Sequence, residues 1–215
     1  PMTVYASVET HSSNYKAVEQ LGLGKNQMRF IPVNEKNVIN IQALEEKLKE
    51  DKANGFKPIC IIANAGTTNT GAIDDLNAIA DICEREKIWF HVDGAFGALV
   101  AITEKYKHLV DGMERADSLA FDLHKWMYMP FEAACILIRD FDHHLDTFTV
   151  SPDYLSHMPR GLAGGEHAWF GDMGLQLTRG FKALKIWMSI KAYGLDHFAK
   201  QIEQDIDNAK YLASE

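Results

Sequence analysis

The sequence predicts an α/β fold, in which a mainly parallel sheet is flanked by helices. Apolar runs of strand length alternate with amphipathic helical segments along the chain, and this alternation is typical of parallel sheets. Several of the strands run directly into polar or reactive side chains, and open α/β sheets place their functional sites at the carboxyl ends of strands. The 215 residues and the apolar fraction of 47% fit one globular domain, or a large piece of a bigger one.

The first part of the chain predicts two strands and two helices. Residues 3–7 alternate as a short strand, and residues 28–33 form a second one. Between them, Ser12 or Ser13 is expected to cap a short helix. Residues 41–53 place apolar side chains on one face and charged side chains on the other, which indicates a surface helix.

The middle of the chain predicts two buried strands separated by a helix. Residues 58–65 are a continuous apolar run, as expected for a parallel strand that is covered on both faces. A polar turn follows over residues 66–71, and a pair of aspartates precedes the helix of residues 76–87, where negative charge is favourable. Residues 88–92 form the next strand.

The last part of the chain is less regular. A strand that ends near Asp122 and a strand over residues 135–138 are separated by a short link, which favours a hairpin. Residues 140–174 are long, rich in Pro, Gly and His, and weakly periodic, as lids and other irregular segments are. Residues 175–193 and 196–214 show helical spacing.

Lys125 is the first candidate functional residue. It stands between His124 and Trp126 at the end of a predicted strand. A lysine that merely extends its amine to solvent would explain this position. Burial without a partner would instead favour the neutral amine, and a neutral amine can form a Schiff base with an aldehyde.

Asp93 is the second candidate. The apolar strand of residues 88–92 runs straight into it, so its carboxylate is either a helix N-cap or a functional group at the edge of the sheet. Pyridoxal 5'-phosphate requires a lysine for its aldehyde and a carboxylate for its pyridinium nitrogen. Asp93 and Lys125 together therefore predict this cofactor.

Several ordered motifs extend this observation over nearly the whole chain. They are VETHSS (8–13), NAGTTNTGAIDD (64–75), HVDGAF (91–96), DLHKW (122–126), SPDYLSH (151–157) and LTRGFKALKIW (177–187). Together they resemble the group II pyridoxal-phosphate-dependent amino acid decarboxylases, which include the aromatic-L-amino-acid, glutamate and cysteine sulfinate decarboxylases. Any one of these motifs alone would be weak.

The resemblance implies a fold and a division of the chain. The fold is the large domain of the aspartate-aminotransferase-like pyridoxal enzymes. Residues 1–174 would be part of the cofactor-binding domain, with a mobile catalytic loop at about 140–174, and residues 175–215 would lead into a small C-terminal domain. We expect further N-terminal chain to complete the phosphate site and the substrate pocket.

The resemblance also implies which residues bind the cofactor. Lys125 holds it through a Schiff base, and Asp93 keeps its pyridine nitrogen protonated. His11 stacks on the ring near the substrate carboxylate. Thr67 sits against the cofactor, and His124 lies near its phosphate.

Three more residues receive expectations from the same motifs. Tyr154 matches a tyrosine of the family's mobile loop, which reaches a neighbouring subunit's site and protonates the substrate Cα after carbon dioxide leaves. Lys125, Tyr154 and His11 are therefore the candidate catalytic residues. Arg179 matches an arginine close to the site. Asp122 stands where animal aromatic decarboxylases have asparagine, and an acid near a phosphate is unfavourable, so no direct phosphate role is expected for it.

The predicted reaction is decarboxylation of an L-amino acid to the amine and carbon dioxide. Aromatic amino acids, acidic ones and cysteine sulfinate all remain candidate substrates. The same fold with other chemistry, either oxidative deamination or carbon–carbon lysis, is one alternative. A non-catalytic homologue is another.

The composition restricts the partners. The formal net charge of −8 and the lack of a basic run argue against nucleic acid, and no apolar run is long enough to span a bilayer. The three cysteines lack metal-ligand spacing and are expected to be reduced thiols in a cytoplasmic protein. No metal is predicted. The resemblance implies a homodimer.

Overall fold

The computed structural model describes residues 1–150, 160 and 169–215, and its centre is a six-stranded sheet. The strands are β1 (Met2–Ser7), β2 (Met28–Ile31), β3 (Lys57–Asn64), β4 (Trp89–Asp93), β5 (Ser118–Asp122) and β6 (Ala134–Ile138). Their order across the sheet is β2-β1-β3-β4-β5-β6. All neighbours pair in parallel except β5 and β6, which form an antiparallel hairpin. The predicted mainly parallel sheet and the predicted hairpin are both confirmed.

Helices connect the parallel strands and extend the C-terminal end. They are α1 (Ser12–Gln20), α2 (Ile41–Ala53), α3 (Leu76–Glu86), α4 (Phe141–Phe148), α5 (Lys182–Tyr193) and α6 (Leu195–Ser214). Short 3-10 turns lie at Lys25–Gln27, Gly97–Ile102, Lys107–Val110, Met113–Arg115 and Phe170–Met173. No described helix is long and apolar enough to cross a membrane.

The sheet is covered on both faces, which explains the apolar runs of its central strands. A large apolar core joins β1, β3 and β4 to α2, α3 and α6. A smaller cluster on other side chains of the sheet includes Val18 from α1 and Met28 from β2. Ile61 and Val92 are fully buried. Double coverage leaves the strand ends as the natural place for polar function.

The register of the parallel strands brings their carboxyl ends together. Asn64 at the end of β3 pairs with Asp93 at the end of β4, and Asp93 pairs with Ala120 in β5. The carboxyl ends of β3, β4 and β5 therefore meet at one edge of the sheet. The candidate residues that follow these strands are brought to that edge.

Three local predictions were wrong. His11, rather than Ser12 or Ser13, caps α1, because its backbone is extended and its ring nitrogen accepts from the backbone N–H of Ser13 at 3.3 Å. Within the segment predicted as irregular, α4 forms behind Asp140, whose carboxylate caps it by accepting from the N–H of His143. The helix predicted from residue 175 begins only at Lys182, directly after the helix-disfavouring Gly180 and its neighbour Phe181.

A buried carboxylate on α2 forms hydrogen bonds with side chains of β1 and β2. Asp51 in α2 is 2% exposed and accepts hydrogen bonds from Tyr5 and from the Arg29 guanidinium, both at 2.7 Å. Lys47 lies 3.3 Å from its other oxygen. Burial alone would raise the pKa of Asp51, but these hydrogen bonds outweigh it and hold the pKa below its usual value.

We predict that Asp51→Asn lowers the free energy of unfolding by about 2–3 kcal/mol, because Arg29 loses its charged partner. A carboxyl with a depressed folded pKa contributes stability above its unfolded pKa of about 4, and that contribution disappears as the pH falls through the folded value. Urea unfolding of the complete protein at pH 7 and at lower pH measures both effects. The exposed Asp146→Asn is the matched control. Equal stability of the two variants at pH 7 would contradict this account.

Candidate active site

A cavity of about 820 Å³ opens where the sheet ends. Its lining comes from the segments that follow β1, β3, β4 and β5, and comprises His11, Ser13, Asn64, Gly66, Thr67, Thr68, Gly71, Asp93, Ala95, Phe96, Asp122 and Lys125. Four of the predicted site residues, His11, Thr67, Asp93 and Lys125, thus lie around one space. They are far apart in the sequence and are brought together by the parallel strands.

Lys125 lies in a tight turn directly after β5. Its backbone N–H donates to the carbonyl of Asp122 at 3.2 Å, and this turn places its amine 2.9 Å from the Asp122 carboxylate. The lysine side chain is 42% exposed and the aspartate side chain 22% exposed. The expectation of a buried lysine without a partner was therefore wrong, because the turn supplies a carboxylate three residues earlier.

The lysine turn is held from outside the cavity by α6. Trp126 stacks on Phe96 with ring centroids 4.5 Å apart, and its indole N–H donates to Asp205 at 2.7 Å. The hydroxyl of Tyr128 donates to the same carboxylate, and this hydrogen bond raises the pKa of Tyr128 to about 12. Asp205 escaped the sequence analysis because nothing local connects it to a turn almost eighty residues earlier.

His124 is not among the described residues that line the cavity. Its Nδ1 lies 3.1 Å from the backbone nitrogen of Ala133 and 2.9 Å from its oxygen. The edge of its ring packs against Phe131 at a centroid distance of 4.9 Å. A role for His124 near a phosphate remains a prediction.

Asp93 ends β4 with its carboxylate at the cavity. One oxygen accepts from the Asn14 amide at 2.9 Å, and the other accepts from the backbone N–H of Ala95 at 3.2 Å. The next helical turn begins only at Gly97, so Asp93 is not a helix N-cap. Of the two explanations considered for this carboxylate, a functional group at the sheet edge is the one that the geometry favours.

His11 and Thr67 face the same cavity from two other segments. The Nδ1 of His11 lies 2.8 Å from the Ser13 hydroxyl. The hydroxyl of Thr67 lies 2.7 Å from that of Thr70 and accepts from the N–H of Ala72 at 3.2 Å. These contacts hold the polar turn after β3 in a fixed shape beside the cavity.

Asn64 is a lining residue that the sequence analysis did not single out. It is buried at the end of β3, and its amide donates to Ser7 at 3.2 Å and to Asp74 at 3.1 Å. Asp74 also accepts from the backbone of Asn64 and from that of Ile39, both at 2.7 Å, and burial raises its pKa. The polar residue that ends an apolar strand was the signal that could have identified Asn64.

Glycines allow two backbone segments to meet under the cavity. The N–H of Gly97 donates to the carbonyl of Ala65 at 2.9 Å, and a Cβ on Gly97 would lie only 2.4 Å from that oxygen. Gly66 has a positive φ of 89°, which a glycine adopts without strain. Close approach of neighbouring elements, rather than of a ligand, therefore explains Gly97.

Arg179 and Tyr154 do not line the described part of the cavity. Arg179 is described, and its guanidinium donates to the carbonyl of Gln176 at 2.9 Å, so its structural role here is local. Tyr154 lies outside the described residues. Within the described ranges, no group of three or more His, Cys, Asp or Glu residues is arranged to hold a metal ion.

The donor set of the cavity fits pyridoxal phosphate. It combines a primary amine, a carboxylate and an imidazole on three different segments, and this cofactor requires the amine for its aldehyde and the carboxylate for its ring nitrogen. The parallel sheet with its reactive groups at the strand ends, together with this donor set, defines the class of pyridoxal-phosphate enzymes.

The chain belongs to the pyridoxal-dependent decarboxylase family, because the sequence model of the pyridoxal-dependent decarboxylase conserved domain matches residues 2–215. It is 41% identical over 203 residues to an aromatic-L-amino-acid decarboxylase of Bacillus atrophaeus, which covers 94% of this chain and 42% of that protein. It is also 31% identical over 213 residues to a phenylacetaldehyde synthase of Petunia hybrida, an alignment that covers 98% of this chain and 42% of that protein.

A solved structure shows the same architecture. Oryza sativa TDC, crystallised with PLP and tryptamine, superposes with a TM-score of 0.91 at 31% identity, over 98% of this chain and 43% of that one. The prediction of an aspartate-aminotransferase-like fold that uses pyridoxal phosphate is confirmed at the level of the family. The chain spans less than half the length of these relatives.

Proposed function

We propose that the complete protein decarboxylates an aromatic L-amino acid with pyridoxal phosphate and releases the amine and carbon dioxide. The observation that carries this proposal is the convergence of Lys125, Asp93 and His11 on one cavity. When bound, the cofactor supplies an electron sink for the pair released from the bond between Cα and the carboxylate. The residues of the chain bind and orient the reactants.

Each of these residues has a separate task in the proposal. Lys125 would hold the cofactor by its aldehyde carbon, since it lines the cavity beside Asp122. Asp93 would hold a proton on the ring nitrogen, because its carboxylate is fixed at the end of β4. His11 would lie over the ring and help to orient the bond to be broken. Thr67 would contact the cofactor from the turn after β3, and His124 remains a candidate for its phosphate.

The aromatic substrate class is supported by the described part of the lining. Phe96 lies on the cavity wall with 44% of its surface exposed and is backed by Trp126. Among the described lining residues, the cationic or titratable basic groups are Lys125 and His11, and both already have tasks toward the cofactor. An acidic substrate side chain would need a further cation. The name of the Bacillus atrophaeus relative points to the same class.

Carbon dioxide release from a panel of L-amino acids tests the proposal. The panel contains phenylalanine, tyrosine, tryptophan, histidine, glutamate, aspartate and cysteine sulfinate, and the complete protein is supplied with pyridoxal phosphate. We expect release from an aromatic member. Release confined to the acidic members would contradict the substrate class, and release from none would contradict decarboxylation.

A second candidate function is carbonyl formation by oxidative deamination, which the similarity to a phenylacetaldehyde synthase favours. Tyr154 decides between the two in our proposal, because a tyrosine that returns a proton to Cα directs the reaction to the amine.

Tyr154→Phe is therefore expected to lower amine formation by about a hundredfold or more and to raise the share of carbonyl product. Separate assays of amine and aldehyde measure this shift, with the exposed Tyr211→Phe as control. An unchanged product ratio would count against the role of Tyr154.

The assembly and location are further proposals. We propose a homodimer in which Tyr154 of one subunit serves the site of the other. Light scattering of the enzymatically active complete protein tests this proposal, and an active monomer would contradict it.

We also propose a cytoplasmic location. The three free cysteines support it, since unpaired thiols suit a reducing compartment.

A further inference from the structure

We propose that Asn14 is a positioning residue for Asp93, and that it fixes this carboxylate relative to the helix that carries His11. The inference rests on the proposed function, in which Asp93 serves the cofactor's ring nitrogen. The Asn14 amide donates to Asp93 Oδ2 at 2.9 Å and to the Thr10 hydroxyl at 2.9 Å. Its two N–H groups are therefore both used, one on each side of the junction between α1 and β4.

The hydrogen bond from Asn14 completes the restraint of the carboxylate. Asp93 Oδ1 accepts from the backbone N–H of Ala95 at 3.2 Å, so within the described part of the chain each oxygen has one donor. Two donors at different oxygens define the plane of the carboxylate, whereas the backbone donor alone would allow it to rotate. A group that must meet a ring nitrogen in one orientation benefits from such a restraint.

Asn14 also forms hydrogen bonds with His11 and with the residue before it. Its backbone N–H donates to the His11 carbonyl at 3.1 Å, and its side chain reaches Thr10, the residue before His11. The same residue thus fixes the start of α1 and the carboxylate of β4, which contribute two of the groups around the cavity. The distance between His11 and Asp93 is set in part by this one side chain.

The chemistry of an amide suits this position. Asn14 donates to the carboxylate without bringing a positive charge, so the negative charge of Asp93 stays available to a protonated ring nitrogen. A lysine or arginine in its place would compete with the cofactor for that charge. A leucine of similar size would fill the space and leave one carboxylate oxygen without this donor.

The test uses the complete protein loaded with pyridoxal phosphate labelled with ¹⁵N in its ring. The variants are Asn14→Leu, which keeps the size of the side chain, and Asn14→Ala, which favours the helix. We expect both to move the ring-nitrogen resonance toward that of the unprotonated ring and to weaken the cofactor dissociation constant about tenfold. Thr10→Val, which removes the other hydrogen bond of the same amide, is expected to leave both quantities unchanged.

Three outcomes would overturn or reassign the effect. An unchanged resonance and a dissociation constant within about twofold of the wild type in both Asn14 variants would overturn the inference. An equal effect of Thr10→Val would overturn it as well, because the start of α1 would then be responsible. Asp93→Ala separates this inference from the proposed function: an unchanged resonance in that variant would refute the role of Asp93 itself, whereas a shift there without a shift in the Asn14 variants refutes only the role of Asn14.

Discussion

Replacement of Lys125 by alanine in the complete protein is expected to lower carbon dioxide release by more than about a thousandfold. The amine that would hold the cofactor is lost, and Asp122 loses the partner that lies 2.9 Å away in this structure. An uncompensated carboxylate would then line the pocket that must accept an anionic phosphate. Cofactor retention is therefore expected to fall together with the rate.

The measurement compares the initial rate of carbon dioxide release and the amount of cofactor that survives dialysis. The exposed Lys16→Ala on α1 removes a lysine without touching the cavity and serves as control. We expect the control to retain wild-type values. A Lys125→Ala protein that keeps more than about a tenth of the wild-type rate would refute the assignment of Lys125.

Replacement of Asp93 is expected to leave a protein that still binds the cofactor. Its rate of decarboxylation is expected to be lower than that of the wild type by a factor of about a hundred to ten thousand. The physical reason is that the ring draws electrons from Cα effectively only while its nitrogen is protonated. Asp93→Asn is the sharper variant, because an amide oxygen at this position can still accept from Asn14 while the negative charge is gone.

The comparison of Asp93→Asn with Asp93→Ala separates charge from packing. We expect equal losses of rate in the two variants, because the negative charge of Asp93 is what keeps the ring nitrogen protonated. A smaller loss in the asparagine variant would show instead that the hydrogen bond to Asn14 is the main contribution. Single-turnover rates at saturating cofactor measure this. Near-normal turnover in both variants would show that Asp93 does not act on the ring.

The alternation of apolar and amphipathic segments predicted the sheet because each buried parallel strand needs apolar residues on both faces. The same logic predicted the site, since Asp93 and Lys125 follow strands whose carboxyl ends must meet. Their convergence with His11 and Thr67 on one cavity therefore follows from topology. The roles of these residues are still predictions that the experiments above address.

Contacts that depend on the packing of distant elements were not predictable from the sequence. Asn14 reaches Asp93 across 79 positions, and Asp205 holds the lysine turn across a similar separation. Neither residue carries a local pattern that distinguishes it from a surface residue of a helix. The pairing of Lys125 with Asp122 was closer in sequence, but it depends on a turn that the apolar pattern of β5 does not specify.

The predicted helix starts were wrong where several neighbouring residues could cap the helix or where the capping residue lies in an irregular sequence. Ser12 and Ser13 were the expected caps of α1, but both lie within the helix. The extended residue His11 is the cap, and its ring nitrogen accepts from the N–H of Ser13. The capping signal of Asp140 before α4 was present in the sequence. The surrounding segment is rich in glycine, proline and histidine, and this composition favoured the prediction of an irregular segment.

The most direct test of the central claim is chemical trapping of the cofactor. The complete protein is incubated with pyridoxal phosphate, reduced with borohydride, digested and analysed by mass spectrometry. We predict that the reduced cofactor is attached to Lys125, with no comparable labelling in the Lys125→Ala variant. Attachment to a different lysine, or no specific attachment at all, would contradict the claim that this cavity is the active site of a pyridoxal-phosphate decarboxylase.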